Sequence, residues 1–552
     1  MTSSADPTAP RPTGRRPVLI VGAGPVGLTS AAELLRRGVD IHLVDRAPAP
    51  SPLTKALLVW PRTLEVLRRL ADPAGTAARS LPVDAFHYYS EGRPIATLDL
   101  TGRAQPVILP QPEIEDLLGA AVTRLGGEVE RGTSLTALEQ HPDHVVAVLR
   151  GADGTERSAE YAYVLGCDGA GSTVRELLGL SFEGLTYPNT FMLVDAYVDG
   201  PLKHDAAHYF CSSRGVLVII GLPGGRSRVF TSLPPGLAPE DATLELMQQV
   251  VDERGPGGLT LRDSAWTSTF AVHARHAERY REGRVFLVGD AAHIHSPAGG
   301  QGLNTGVTDA QNLAWKLALV WRGEAGAPLL DSYHTERTQV ARAVVRQADL
   351  QTRAWLLRKP AQVTARDRAA SAASRFGLFD LDYIPWLAGL RTVYGEGRET
   401  RLRSWKLWGH RFVPGALTPD RQVWDRRLGR RLSLREAVSD LQHTLLVELP
   451  GTALPPRVAR ALAEAEKRHP GLLDVRVLDA TGTLHDGAPA EPGPGTRPHG
   501  AGRGAGRTAG RGSGRGSVVL VRPDQHVHTR LPLHEAHRIT ALLDEALHHP
   551  AR

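Results

Sequence analysis

Short apolar runs alternate with glycine-bearing turns and longer stretches of helical spacing, the pattern of a mixed α/β protein. Near the start, Val18-Leu19-Ile20-Val21 is an unbroken apolar run of strand length and predicts a buried strand. Leu28 to Arg37 has helical spacing and stops at Gly38, and Asp40 to Val44 predicts a second strand ending at Asp45. Further strands are expected around Gly127-Glu128-Val129-Glu130, Val145 to Leu149 and Tyr161 to Leu165, with a meander turning at Gly151-Ala152-Asp153-Gly154. Between Thr190 and Phe270, alternating runs are separated by breakers such as Pro223-Gly224-Gly225, which predicts an inserted antiparallel sheet. Val285 to Val288 is again a short buried strand. Helical spacing returns in Leu313, Trp315, Leu317 and Leu319, and residues from Leu329 to about Leu390 read as largely helical. Beyond Gly409 the alternation resumes. Leu445 to Leu449 and Leu473 to Leu478 flank a helix from Arg457 to Arg468, then Val518 to Val521 forms a strand and His534 to Leu547 a closing helix.

Two of these strands lead into loops that carry chemistry. Gly22-Ala23-Gly24-Pro25-Val26-Gly27 follows the first strand directly and opens a helix, and Asp45 stands about 20 residues on. In that context the glycines make a tight turn, the helix amides can take a pyrophosphate, and Asp45 can bind ribose hydroxyls. The second loop follows Val285–Val288: Gly289-Asp290 ends the strand, and Pro297, Gly299, Gly300 and Gly302 lead into the next helix. It offers a carboxylate for a sugar, and amides with the positive end of a helix dipole for an electron-rich ring. A simple NAD dehydrogenase needs no second nucleotide-facing loop so far along the chain. FAD, with a ribityl chain and an isoalloxazine ring to hold, does. The pair of loops therefore predicts FAD.

Composition changes little. At 552 residues the chain has room for two or three domains, and 41% hydrophobic with 22% charged residues is ordinary for a globular protein. The net charge of +6 partly reflects one arginine-rich low-complexity stretch, so a basic surface is expected and nucleic acid is not a partner. Only Cys167 and Cys211 are present, no apolar run approaches membrane length, and Arg15-Arg16 precedes a strand needed for the first motif; a cytoplasmic protein is expected. His293 and His295, and His273 and His276, sit close together, but no cysteine or carboxylate at ligand spacing completes a metal site. His293 is expected to be held by a backbone hydrogen bond beside Asp290.

Three stretches in order carry a family likeness: Gly22 to Gly27, Cys167-Asp168-Gly169-Ala170-Gly171-Ser172-Thr173-Val174-Arg175, and Gly289-Asp290 with Pro297 to Asn304. On these the chain resembles the class A flavoprotein aromatic hydroxylases, the p-hydroxybenzoate hydroxylase fold, and within it the larger members acting on phenols and aromatic polyketides. The resemblance covers most of residues 18 to 400. It implies a Rossmann-type FAD-binding domain at 18–190 and 271–400, an inserted antiparallel substrate-binding sheet at 191–270, and a thioredoxin-like domain at 409–552. Disorder is expected at 1–17 and in the Gly/Arg-rich loop 491–517. The C-terminal domain lacks Cys-x-x-Cys, so packing or homodimerisation is its expected role rather than dithiol chemistry.

The resemblance also implies cofactor-binding residues. They are Gly22, Gly24, Pro25, Val26, Gly27, Asp45, Arg46, Lys55, Gln111, Asp168, Asp290, Pro297, Gly300, Gly302, Leu303 and Asn304. Lys55 stands where the family usually has arginine; it can meet a phosphate as a point charge but lacks the bidentate fork. Gln111 matches a glutamine near the ribityl–phosphate region, and Pro297 a proline beside the ring. The 167–175 loop lies in the family between flavin and incoming NADPH, although an Asp168–Arg175 pair at a capped helix start fits the spacing equally well. Tyr209, Phe210, Trp266 and Phe270 are candidates for a flat pocket or for ordinary packing. The implied reaction is hydroxylation of an aromatic substrate with dioxygen and NADPH or NADH, through a flavin C4a-hydroperoxide; no catalytic base is assigned. Alternatives are Baeyer–Villiger or epoxidising oxygen insertion on the same scaffold, an FAD oxidase or dehydrogenase that ignores NAD(P)H, and a binding protein without flavin.

Overall fold

The computed structural model describes residues 14–234, 236–395, 412–487 and 516–548. Most of the tail at 1–17 and nearly all of the loop at 491–517 lie outside them. The described residues divide into two compact units, one running to residue 314 and including 333–390, the other of 315–332 and the described residues from 391 onward.

In the larger unit, Val18–Val21 lies inside a six-stranded sheet. It is flanked in parallel by Ile41–Asp45 and by Tyr163–Gly166, which in turn pairs in parallel with Val285–Leu287. All four of its side chains are buried, which explains the unbroken apolar run: a central parallel strand is covered on both faces. The register sets Val21 beside Gly166 and Gly166 beside Leu287. Three strands therefore end on the same edge, and the loops that follow them emerge side by side. Residues far apart in sequence meet there because parallel neighbours share a carboxyl end.

An eight-stranded sheet forms the second layer of this unit. It is wider than the expected 191–270. Its two long members, Phe182–Asp199 and Thr260–Ala277, pair antiparallel along most of their lengths, and Ala85–Ser90 and Arg93–Asp99 complete the far edge. The early pair was missed because partners over 100 residues away leave no mark on local alternation. One sheet face packs Phe86, Phe191 and Tyr209 with Trp60 and Trp355, and the other packs Met192, Phe210, Leu217 and Ile219 under the helix Leu244–Arg254. Helices Asp331–Trp355 and Pro360–Arg375, a π-turn at Phe379–Tyr383 and the short helix Ile384–Leu387 account for the helical region expected up to Leu390.

The smaller unit is built on a seven-stranded mixed sheet. Strand His443–Glu448, helix Pro456–Arg468 and strand Leu473–Leu478 form a parallel βαβ. The antiparallel strands Ser517–Val521 and Val527–Pro532 and the helix Ile539–Ala546 follow, with Ser517–Val521 paired to His443–Glu448. A βαβ followed by ββα is consistent with the thioredoxin-like unit that the resemblance implies. Among the described residues, no helix is long and apolar enough to cross a membrane.

Candidate functional site

The first glycine loop is shaped by contacts that exclude side chains. Gly22 has φ of 101°, and a Cβ there would lie 2.5 Å from the carbonyl oxygen of Cys167. A Cβ at Gly27 would lie 1.8 Å from the carbonyl oxygen of Gly22. Gly24 is different: nothing lies within 4 Å of where its Cβ would be, so the backbone borders open space. It is also the N-cap of the helix Pro25–Leu35, and no side chain caps that end. Uncapped amides facing open space suit a diphosphate. Pro25 sits at the first helical position, where a missing N–H costs nothing.

Asp45 holds the first loop through both carboxylate oxygens. One carboxylate oxygen accepts from the Ala23 amide at 2.6 Å and the other from the Ala47 amide at 2.8 Å, so it also pins the loop. Each oxygen keeps a second lone pair. Nearby, Gln111 accepts from the Ala56 amide at 3.2 Å and donates to Glu115 at 2.8 Å. Glu115, which sequence reasoning did not single out, is buried, and burial raises its carboxyl above the ordinary range. It feels the charges of Arg131, Asp45 and Lys55, which places all four groups in one neighbourhood. Lys55 and Arg46 are exposed.

In the second stretch Asp168 accepts from the Ser172 hydroxyl at 2.6 Å and from the Val174 amide at 3.1 Å. Arg175 donates instead to the carbonyls of Ala170 at 2.8 Å and Ala291 at 2.9 Å. The Asp168–Arg175 pair allowed by the spacing therefore does not form as a direct hydrogen bond. The acid caps a helix, and the arginine ties this loop to the next.

Asp290 is open to solvent, yet enough protein crowds around it that its carboxyl is pushed above the ordinary range. The charges of His293 and Lys55 pull the other way. An accessible acid in a concave setting can meet a ligand's hydroxyl groups. Beneath it, Asp309 is fully buried between His293 Nε2 at 2.7 Å and Arg337 Nε at 2.5 Å. Burial alone would raise Asp309, but Arg337 and His293 together hold it below the usual carboxylate range. His293 is thus fixed by a buried carboxylate rather than by the expected backbone bond. His295 donates from Nδ1 to Ser296 O at 2.8 Å, and burial lowers its pKa to about 4.

Pro297 is exposed, and Gly300, Gly302 and Leu303 are partly so. Nothing lies within 4 Å of where a Gly302 side chain would begin, and the first amides of the helix Gly302–Arg322 lack intrahelical acceptors. The side chain of Asn304 is buried and already occupied. It accepts from the Trp60 amide at 2.9 Å and donates to Leu58 O at 2.9 Å and Gly300 O at 2.7 Å. Only its backbone is left to face a ring. Trp60 Nε1 closes the same clamp on Gly299 O at 2.9 Å.

These stretches converge. A Cβ at Gly289 would lie 2.9 Å from a Val26 methyl carbon, and one at Gly306 would lie 2.6 Å from it, so Val26 of the first loop is wedged against both glycines of the third. Gly22 meets Cys167, and Arg175 meets Ala291. The aromatic candidates separate by face. Tyr209 stacks on Tyr88 at 4.6 Å on one side of the sheet, whereas Phe210, the next residue, packs against Tyr89 on the other. Phe270 stacks on Phe191, and Trp266 lies under the Arg228 guanidinium.

The comparisons agree with this geometry. A family model described as FAD binding domain matches residues 15–348. An uncharacterized aromatic compound monooxygenase, YhjG, from Bacillus subtilis (strain 168) is 38% identical over 342 residues, covering 61% of this chain and 68% of that protein. The 6-methylpretetramide 4-monooxygenase of Streptomyces rimosus is 38% identical over 331 residues, covering 58% of this chain and 59% of the relative. Among solved structures, the flavin-dependent monooxygenase PieE, in complex with FAD and substrate, superposes with a TM-score of 0.78 at 25% identity, covering 98% of this chain and 100% of that one. Aklavinone-11 hydroxylase with FAD and aklavinone gives 0.72 at 26% identity, covering 97% and 99%. With three glycine-bearing loops on one sheet edge and a family model spanning them, the chain belongs to the FAD-binding-domain family and, within it, to the class A flavoprotein aromatic hydroxylases.

Proposed function

We propose that this flavoprotein monooxygenase uses NADPH or NADH and dioxygen to hydroxylate an electron-rich aromatic ring, a phenol or a fused-ring polyketide. The observation that carries this reading is the packing of Val26 between Gly289 and Gly306. It brings the diphosphate-shaped loop against the ring-shaped one, which supports a single flavin dinucleotide reaching both. The open cradles at Gly24 and Gly302 and the accessible Asp290 fit that cofactor. FAD, when bound, supplies dioxygen activation and transfer of one oxygen atom to the ring.

The chain's own residues bind, orient and shield. The amides at the start of Pro25–Leu35 take the diphosphate, Asp45 the adenosine ribose, and Asp290 the ribityl hydroxyls, with Lys55 and Arg46 as exposed cations beside the phosphates. Gln111 and Glu115 hold the segment around Ala56 in place. The amides of Gly302, Leu303 and Asn304 stabilise negative charge that develops on the ring system, and Trp60 and Asn304 keep their loop from drifting. Pro297, exposed ahead of this helix start, would border the ring. The aromatic sheet face with Phe86, Tyr209 and Trp355 excludes water on the substrate side.

The substrate class draws support from relatives named for their substrates, among them pentachlorophenol 4-monooxygenase of Sphingobium chlorophenolicum and the 6-methylpretetramide enzyme. The test is anaerobic mixing of the purified yellow protein with NADPH, followed by aerobic turnover on a panel of phenols and anthraquinones. The reading expects flavin bleaching accelerated by substrate and a product carrying one added oxygen. A flavin that NADPH and NADH both leave oxidised, with every aromatic present, would end it.

A further inference from the structure

Behind the flavin-facing loops the larger unit carries a groove that the site above does not use. It lies between the helices Asp331–Trp355 and Pro360–Arg375 and the turn leading into Ile384–Leu387, with a volume of about 580 Å³. That is the size range of small-molecule sites, roughly 300–1,000 Å³. Its walls include Leu350, Leu378 and Trp386. Leu350 is 65% exposed and Leu378 52% exposed, so among the described residues nothing covers these two large apolar side chains. Such exposure costs free energy unless a ligand covers it in use.

The groove also has a charge. Arg346 on its rim is exposed and donates from Nε to the Arg342 carbonyl one turn back. Among the described residues it forms no ion pair. Further along the same helix, Arg353 instead pairs with Asp349 at 2.9 Å. The floor is Tyr383, whose hydroxyl donates to Gln351 at 3.0 Å and also meets Gln347. The same Gln351 oxygen lies 3.4 Å from where a Gly299 side chain would begin. One residue layer separates this groove from the loop that presents Pro297 and Gly300.

We infer that the groove is a capture site for the aromatic substrate: an acidic fused-ring compound lays its rings on Leu350, Leu378 and Trp386 and sets an ionised phenol or carboxylate on Arg346, outside the flavin chamber. The ligand class rests on the monooxygenase reading above. The apolar walls supply affinity without orientation, and the Arg346 guanidinium selects anions over neutral rings. A protein partner fits less well, since a concave pocket of this volume with the exposed Arg346 on its rim matches a small planar anion better than a broad flat surface.

The test uses the FAD-loaded protein and two probes of one shape, anthraquinone-2-carboxylate and its neutral 2-hydroxymethyl counterpart, titrated by calorimetry. Arg346→Glu is expected to weaken the carboxylate probe about tenfold and leave the neutral probe within about twofold, a charge term of the usual size for one exposed pair with a full sign reversal. Leu350→Asp is expected to weaken both, and neither change should alter the visible flavin spectrum. Unchanged affinities in both variants overturn the inference. So does a Leu350→Asp protein that binds both probes normally but changes its elution volume, because the patch is then a contact between copies. Failure of the monooxygenase reading shows elsewhere, in a wild-type flavin that NADPH does not reduce, whatever the titrations give.

Discussion

Gly306→Ala tests whether the two glycine loops truly press on each other. Gly306 lies in the helix Gly302–Arg322, where alanine is favoured over glycine by about 1 kcal/mol on propensity alone. Packing predicts the opposite sign. The new methyl would start 2.6 Å from a Val26 methyl carbon and 3.2 Å from Gly289 Cα, against an optimum of roughly 3.5–4.0 Å for carbon pairs. Val26 must move by on the order of 1 Å, and it has little freedom. Its χ1 is stiff, and the turn behind it already leaves no room at Gly27. Overpacking of this kind costs about 1–3 kcal/mol, and it falls on the loop shaped for the diphosphate. The expected result is an FAD dissociation constant raised about tenfold to a hundredfold, at 1.4 kcal/mol per decade. Val26→Ala removes the clashing methyl, so the double variant should bind FAD almost as well as Val26→Ala alone, with a coupling of about 1–2 kcal/mol. Flavin fluorescence on release measures both constants, and circular dichroism checks that the helix is intact. Additive effects in the double variant would refute the reasoning, because residues that do not touch do not couple.

The remaining predictions concern Asp309 and Asp290. Asp309→Ala removes the carboxylate held between His293 and Arg337 and should lower stability by about 3–5 kcal/mol, read as a large fall in the melting temperature of both apo and FAD-loaded protein. A melting temperature within a few degrees of wild type would contradict that burial. Asp290 behaves differently because its carboxyl is raised by crowding rather than lowered by partners. The folded state holds its proton more tightly than the unfolded chain, so stability falls as pH climbs from the ordinary carboxylate value through the raised one. Asp290→Asn should therefore make the apo protein more stable than wild type at pH 7, with the gap closing at low pH, while FAD affinity drops. A gap that persists unchanged at low pH would rule out the titration as its source.

Local pattern determined much of this protein. Val18–Val21 and Val285–Leu287 are close to where an unbroken apolar run places them, because a strand covered on both faces is apolar throughout, and Ile41–Asp45, His443–Glu448 and Leu473–Leu478 lie close to where the pattern of short apolar runs predicts strands. The glycine loops were legible too, since a turn with no room for Cβ admits one residue type and writes it into the sequence. Tertiary structure alone decided the partners. Nothing local says that Ala85–Ser90 joins a sheet with Ala206–Ser212, that Asn304 spends its side chain on Trp60 and Leu58, or that Asp309 rather than a backbone group holds His293. Nor does alternation tell which face of a strand looks at substrate: Tyr209 and Phe210 are equally aromatic and point opposite ways. Side-chain hydrogen bonds and sheet neighbours are set by the global register of the chain, and that register is fixed only when every buried face has found its complement.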